Sequence, residues 1–291
     1  MISLDDFIAD HRLPASYRQE AEQWFVPLAT RIAEQRQKLG KTLVVGITGT
    51  QASGKSTLAD LLVFLCGQEY ALNAIAISMD DFYLTRQERQ ALAASVHPLL
   101  VTRGVPGTHD IALALEIIHS LADENTQTLV PRFNKATDDR YPPSEWDRVS
   151  GRVDLILLEG WCLGAEPQSD DALVKPVNSF EETQDSNGSW RRYANQQLRD
   201  VYPSLFELVD TWIMLKAPSF ECVYNWRQEQ EEKLIETLSN TNLEASNTMT
   251  ADELRHFIQH YQRITEHLFK TAPLKADILF ELDKDRKIIC T

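Results

Sequence analysis

Short apolar runs alternate with amphipathic stretches along most of the chain, and this alternation sets the expected elements. "TLVVGIT" at 42–48 is rich in β-branched residues and reads as a strand, while "STLADLLVFLCG" after it has helical spacing and predicts a helix stopping at Gly67. "NAIAIS" predicts a second strand that ends on the adjacent acids Asp80 and Asp81, and "RQERQALAAS" predicts a polar helix with little core contact. After the Gly- and Pro-rich segment 102–110, "IALALEIIHSLA" is strongly amphipathic, with Asp110 placed to cap it. "VDLILLEG" at 153–160 is apolar without alternation, the pattern of a parallel strand buried on both faces, and "VDTWIMLKAP" at 209–218 repeats it.

Helical patterns cover 191–208, 219–238 and 250–271, the last two separated by "SNTNLEASNTM", and "DILFELDKDRKII" predicts strand material with a turn at Asp283 to Asp285. Residues 166–190 are polar and contain "EETQDSNGS", which predicts a flexible loop. Residues 15–39 have helical spacing interrupted by Pro27, so a kinked helical extension is expected. Strand and helix in alternation predict an α/β fold with a mainly parallel sheet. We expect a helical N-terminal extension over 1–40 and one domain over 41–291, because no repeat and no second core with its own linker is visible.

Between the first strand and its helix stands "GTQASGKS", which matches GxxxxGK[ST]. Backbone N–H groups of such a loop curl around a phosphate, and the helix N-terminus adds partial positive charge. Gly49, Thr50, Gln51, Ala52, Ser53, Gly54, Lys55, Ser56 and Thr57 are therefore the expected triphosphate cradle, and the expected architecture is the three-layer sandwich of P-loop NTPases. Lys55 suits the β and γ phosphates; the Ser56 hydroxyl suits Mg2+. Glu159 directly follows an apolar run, the position of an acid that holds the metal through its water shell.

Charge and cysteines narrow the partners. With 43 acidic and 29 basic residues the formal charge is −14, which argues against a nucleic-acid or membrane-surface partner. Four scattered cysteines without a CxxC pair signal neither zinc nor disulfides, and the polar opening "MISLDDFIAD" predicts no export signal, so a cytoplasmic protein is expected. "NKAT" at 134–137 lacks the acid of a guanine-reading NKxD motif and precedes the strand that such a motif should follow, so a GTPase is disfavoured. A small-molecule kinase needs a base aimed at a substrate hydroxyl, and an Asp at the end of the second strand could supply it.

"GITGTQASGKST", "SMDDFYLT", "RGVPGTHD", "LVPRFNKATDDRYP", "LILLEGWCLG" and "CVYNWRQEQE" resemble, in wording and order, the D-glycerate 3-kinase family of P-loop kinases, relatives of phosphoribulokinase, uridine kinase and pantothenate kinase. The resemblance covers roughly residues 40–291. It implies ATP and Mg2+ as cofactors and phosphorylation of D-glycerate to 3-phosphoglycerate. It also implies Asp80 as the base, with Tyr83, Arg103, His109, Arg132, Lys135 and Arg140 around the acceptor, and Arg227 over the transferring phosphate. Asp110 serves as an acceptor-site residue or simply as the helix cap, and Trp161 and Trp226 read as core. Asp81 falls on a variable position and is expected only to shape the turn; Lys55 and the metal are expected to keep Asp80 charged beside it. A sibling kinase acting on another hydroxy acid, a nucleoside or pantothenate is the alternative within the class, and a nucleotide-dependent switch or binding protein is the alternative outside it. A monomer or homodimer fits either.

Overall fold

The computed structural model describes residues 3–124, 127–240 and 249–290, with the side chains of 234–240 left aside. Its strands are β1 (Leu43–Gly49), β2 (Ala74–Ser78), β3 (Gln127–Val130), β4 (Phe133–Asn134), β5 (Asp139–Arg140), β6 (Asp147–Ser150), β7 (Leu155–Gly160), β8 (Thr211–Lys216), β9 (Ile278–Leu282) and β10 (Ile288–Cys290). Its α-helices are α1 (Leu4–Asp10), α2 (Tyr17–Glu20), α3 (Val26–Leu39), α4 (Lys55–Tyr70), α5 (Arg86–Ser95), α6 (Ile111–Leu121), α7 (Ser179–Gln184), α8 (Ser189–Asp200), α9 (Pro203–Phe206), α10 (Phe220–Asn240) and α11 (Ala251–Thr271).

Six strands form one sheet in the order β10-β9-β8-β1-β7-β2, parallel throughout except for β10. Every residue of β1 and of β7 is buried, so helices must cover the sheet on both faces, as the unbroken apolar runs predict. α4 buries Leu58, Leu61, Leu62 and Leu65, and α3 packs beside it. β1 and β7 pair with Ile47 opposite Glu159, and β2 joins with Ser78 opposite the same residue. That register brings the ends of β1, β7 and β2 to a single edge, where ligands bind in open parallel sheets.

Four local expectations change. α4 runs past Gly67 to Tyr70, because the chain reverses only where Ala71 takes a left-handed conformation (φ 52°) and donates its N–H to Cys66 O. β2 ends at Ser78, and the two acids lie on a 3-10 turn, Met79–Phe82. α5 is polar, yet Arg89 is wholly buried. Segment 166–190 is ordered rather than flexible: it holds a 3-10 turn at Asp170–Leu173 and α7. Two buried guanidiniums clamp it, Arg191 donating to Leu173 O (2.7 Å) and Asp185 Oδ2 (2.9 Å), and Arg263 donating to Ala172 O (2.9 Å) and both Glu181 oxygens (2.7 Å). Charge-assisted bonds of this kind offset the ordering entropy that the composition alone would leave uncovered.

A π-helical turn, Ala21–Phe25, carries α2 into α3 ahead of Pro27. Phe7, Ala21, Phe25 and Leu28 share the main core with the sheet, and Phe25 meets Phe280 edge to face at 5.7 Å. The segment 241–248, most of the stretch read as separating two helices, lies outside the described residues. Among the described residues no helix is long and apolar enough to cross a membrane.

Candidate active site at the carboxyl edge of the sheet

The phosphate loop begins at Gly49, where a Cβ would lie 2.7 Å from Leu215 O, so only glycine fits as β1 turns. Ala52 (φ 58°) and Gly54 (φ 95°) are left-handed, and α4 starts at Lys55. The Lys55 ammonium donates back to Thr50 O at 2.9 Å and stands 4.0 Å from Glu159 Oε2. Ser56 donates its hydroxyl to Glu159 Oε1 at 2.8 Å. Thr50 Oγ1 and the Gln51 amide are buried here without a partner among the described residues, groups that a ligand would satisfy. Arg286, on the turn before β10, donates Nε to Ala52 O at 3.1 Å, bracing the loop from outside. A cleft of about 670 Å³ opens beside it, between Ser53 to Thr57, Tyr17 and Trp24, and Arg286.

Two strands away, the 3-10 turn presents Asp80. Tyr83 donates its hydroxyl to Asp80 Oδ1 at 2.9 Å, and the Lys135 ammonium lies 2.8 Å from Oδ2. Burial pushes the Asp80 carboxyl up, but the Lys135 ammonium and the Tyr83 hydroxyl outweigh it, and the net direction is below the usual carboxylate range. Asp80 thus stays ionised through Lys135, delivered from another part of the chain, while Lys55 is occupied with its own loop and Glu159. That replaces the expected partner. Asp81 does more than shape a turn: it accepts from Phe133 N (3.0 Å) and from Arg132 (2.8 Å), tying β2 to the β4–β5 hairpin. Burial raises its carboxyl despite Arg132.

The remaining basic residues are largely taken up by the scaffold. Arg132 also binds Asp147 (2.7 Å), and the half-buried Arg140 donates to Tyr83 O (2.8 Å) and reaches Asp110 (3.4 Å). Asp110 itself caps α6 through Leu113 N (3.0 Å). Arg103 pairs with Asp138 and lies over the Phe133 ring at 5.3 Å. Its Nε and Nη2 have no acceptor among the described residues. Asp138 is fixed in turn by Arg89, which also donates to Leu84 O (3.1 Å) and Val101 O (2.6 Å). The role of Arg89 was hidden because its hydrogen-bond partners are backbone carbonyls, of Leu84, Val101 and Asp138, which no residue type signals.

His109 is buried, stacked on Tyr83 at 4.5 Å and hydrogen-bonded through Nδ1 to Tyr202 Oη at 2.6 Å. Arg227, on α10, meets Gln230 and Glu231, and its charge acts with that of Arg103 on the phenol of Tyr261. Glu231 is buried and accepts Met249 N at 2.9 Å, so it links Arg227 to the start of the segment leading into α11. Trp161 and Trp226 are core residues whose indole N–H groups bind Gly104 O (3.0 Å) and Lys284 O (2.7 Å). Tyr202, Glu231 and Asp138 carried no sequence signal of their own.

A phosphate loop on the central strand of a parallel sheet, with acids ending or following the neighbouring strands, defines a P-loop protein of α/β fold. No model of a known family matches the chain. Among curated proteins it is similar to the chloroplastic D-glycerate 3-kinase of Arabidopsis thaliana, 30% identical over 261 residues, or 85% of this chain and 54% of that protein. It is also 29% identical over 238 residues to an uncharacterized kinase of Schizosaccharomyces pombe, covering 79% of this chain and 82% of the relative. The chain thus spans about half the length of the plant relative. Among solved structures, a D-glycerate 3-kinase from Cryptococcus neoformans var. grubii superposes with a TM-score of 0.75 at 26% identity, over 92% of this chain and 97% of the other. The similarity read from the motifs therefore recurs over most of the chain: these relatives are two D-glycerate 3-kinases and a further kinase.

Proposed function

We propose that the protein is an ATP-dependent small-molecule kinase that transfers the γ-phosphoryl group to the 3-hydroxyl of D-glycerate. The observation that carries this reading is Asp80, held ionised by Lys135 on the same sheet edge as the phosphate loop. Its free electron pairs suit a base that orients the acceptor hydroxyl and takes its proton as the P–O bond forms. Gly49 to Thr57 would hold the triphosphate, with Lys55 turning from Thr50 O to the phosphates. Arg227 would lie over the transferring group, whose charge a guanidinium stabilises. Arg103, with two nitrogen sites unpaired, suits the carboxylate of the acceptor. Tyr83, His109 and Lys135 would border that acceptor, while Arg132 and Arg140 would support it through Asp81 and Tyr83.

Mg2+ favours oxygen ligands and retains water, so Ser56 and Glu159 fit a metal shared with phosphate oxygens. Among the described residues no group of three or more His, Cys, Asp or Glu would cage a metal alone, which is consistent with that sharing. Bound there, the ion would offset phosphate charge. A cytoplasmic monomer or homodimer acting on small molecules, apart from nucleic acid and membranes, fits the acidic composition.

The test is ADP production against a panel of hydroxy acids, sugars, nucleosides and pantothenate. D-glycerate should stand out, and an inert D-glycerate would remove the acceptor assignment. Tight ATP binding with slow turnover whatever is added would favour a nucleotide-dependent switch.

A further inference from the structure

His109 poses a question of proton placement that its surroundings answer. The Tyr202 hydroxyl oxygen accepts the backbone N–H of Gly107 at 3.0 Å and lies 2.6 Å from His109 Nδ1. Two arrangements are open. If Nδ1 carried the proton, the hydroxyl hydrogen of Tyr202 would have no acceptor among the described residues, and the Nε2 lone pair would be buried without a donor. If Tyr202 donates to Nδ1, only one group is left over, an Nε2–H with no partner. The second arrangement wastes fewer buried groups, and Tyr202 is wholly buried, so water cannot relieve the first.

The ring is fixed as well as its tautomer. It stacks on Tyr83 at 4.5 Å, meets Tyr202 edge-on at 5.9 Å, and its backbone bridges to Tyr83. Tyr83 in turn donates to Asp80. A buried, unsatisfied donor therefore stands one ring away from the carboxylate assigned as base.

We propose that Tyr202 holds His109 in the neutral, Nε2-protonated form, making it a permanent uncharged donor to an oxygen of the acceptor beside Asp80. This rests on the kinase reading above. Tyr202 is a positioning residue, and His109 a group that discriminates among acceptors by requiring an oxygen at that point. An acceptor lacking that oxygen would leave the donor unpaired, which is how buried polar groups reject close analogues. The titratable groups around the ring are Asp80 and Tyr83 on the turn after β2, Cys162 after β7, and Tyr202 after α8. Burial pushes His109 down to about 4 against the opposing pull of Asp80, so the donor stays uncharged near neutrality.

The wild-type protein labelled with 15N-histidine gives the direct test. Its correlation spectrum should show His109 with Nδ1 unprotonated and Nε2 protonated, unchanged between about pH 6 and 8. A protonated Nδ1 or an imidazolium would overturn the assignment. Adding D-glycerate, or whichever panel acceptor is phosphorylated, should shift the Nε2–H resonance while a nonhydrolysable ATP analogue alone should not; an unmoved resonance would overturn the contact. Tyr202→Phe should populate the other tautomer and raise the acceptor KM roughly tenfold, with the KM for ATP within about twofold. Equal changes in both constants would mark Tyr202 as merely structural. The tautomer is measured without turnover, so failure of the kinase reading and failure of this inference are seen separately.

Discussion

The two sides of the candidate site use charge in opposite ways. On the phosphate side, Lys55, Ser56 and Glu159 are bonded to one another and to their own loop, close to where a ligand would sit. On the acceptor side, the guanidiniums of Arg132 and Arg140 are spent on Asp81, Asp147, Asp110 and a backbone carbonyl. One side pairs its charges within the phosphate loop and the strand beside it, and the other uses most of them to hold a hairpin against the sheet. A basic residue in a recognisable motif is therefore no guide to whether it faces substrate until its partners are known.

Replacement can break that contrast. The largest effect is expected for Asp80→Asn, which should lower kcat roughly 10²- to 10⁴-fold while ATP affinity measured by calorimetry stays within a few-fold; near-normal turnover would end the base assignment. Lys55→Ala should come next, weakening ATP binding and lowering kcat about 10²- to 10³-fold, since a preorganised charge at the phosphates is lost. Arg132→Ala should behave differently. Urea unfolding should show a loss of about 2 kcal/mol, reduced from the fully buried case because the pair is partly exposed, with the acceptor KM changing less than about threefold. A large KM effect with unchanged stability would return Arg132 to the substrate.

The smallest expected effect concerns pH. Burial lowers His109 and His260 to about 4, whereas an unfolded chain takes up those protons from about pH 6.5. Folding stability should be complete above that value and fall as pH drops through the window, by about 1–2 kcal/mol per histidine between pH 7 and 5. His109→Gln should remove its share of the slope, and an unchanged slope would show that the imidazole is solvated.

What could be read from the sequence was what is local. The phosphate loop is one contiguous turn, and the strands announced themselves as apolar runs, so the α/β fold and the loop followed from short windows. Glu159 could be singled out because four apolar residues lead directly into it. The pairing of Lys135 with Asp80 could not, because it closes across a hairpin and depends on how that hairpin docks. Arg89 and Arg191 escaped because their acceptors are mainly backbone carbonyls, which no residue type advertises, and Arg263 because its partners, Glu181 above all, lie some eighty to ninety residues before it. The ordered segment 166–190 is the clearest instance, polar in composition yet fixed by two guanidiniums contributed from outside its low-complexity core.

The bond from Arg286 to Ala52 spans 234 residues. During synthesis the phosphate loop would leave the ribosome long before the turn that braces it, and β1 would wait for β7 and β8 before it had neighbours. A nascent chain should consequently acquire nucleotide affinity late and abruptly, once the β9–β10 turn has emerged, so that ATP captured by ribosome-bound intermediates of increasing length would report the moment at which the sheet closes.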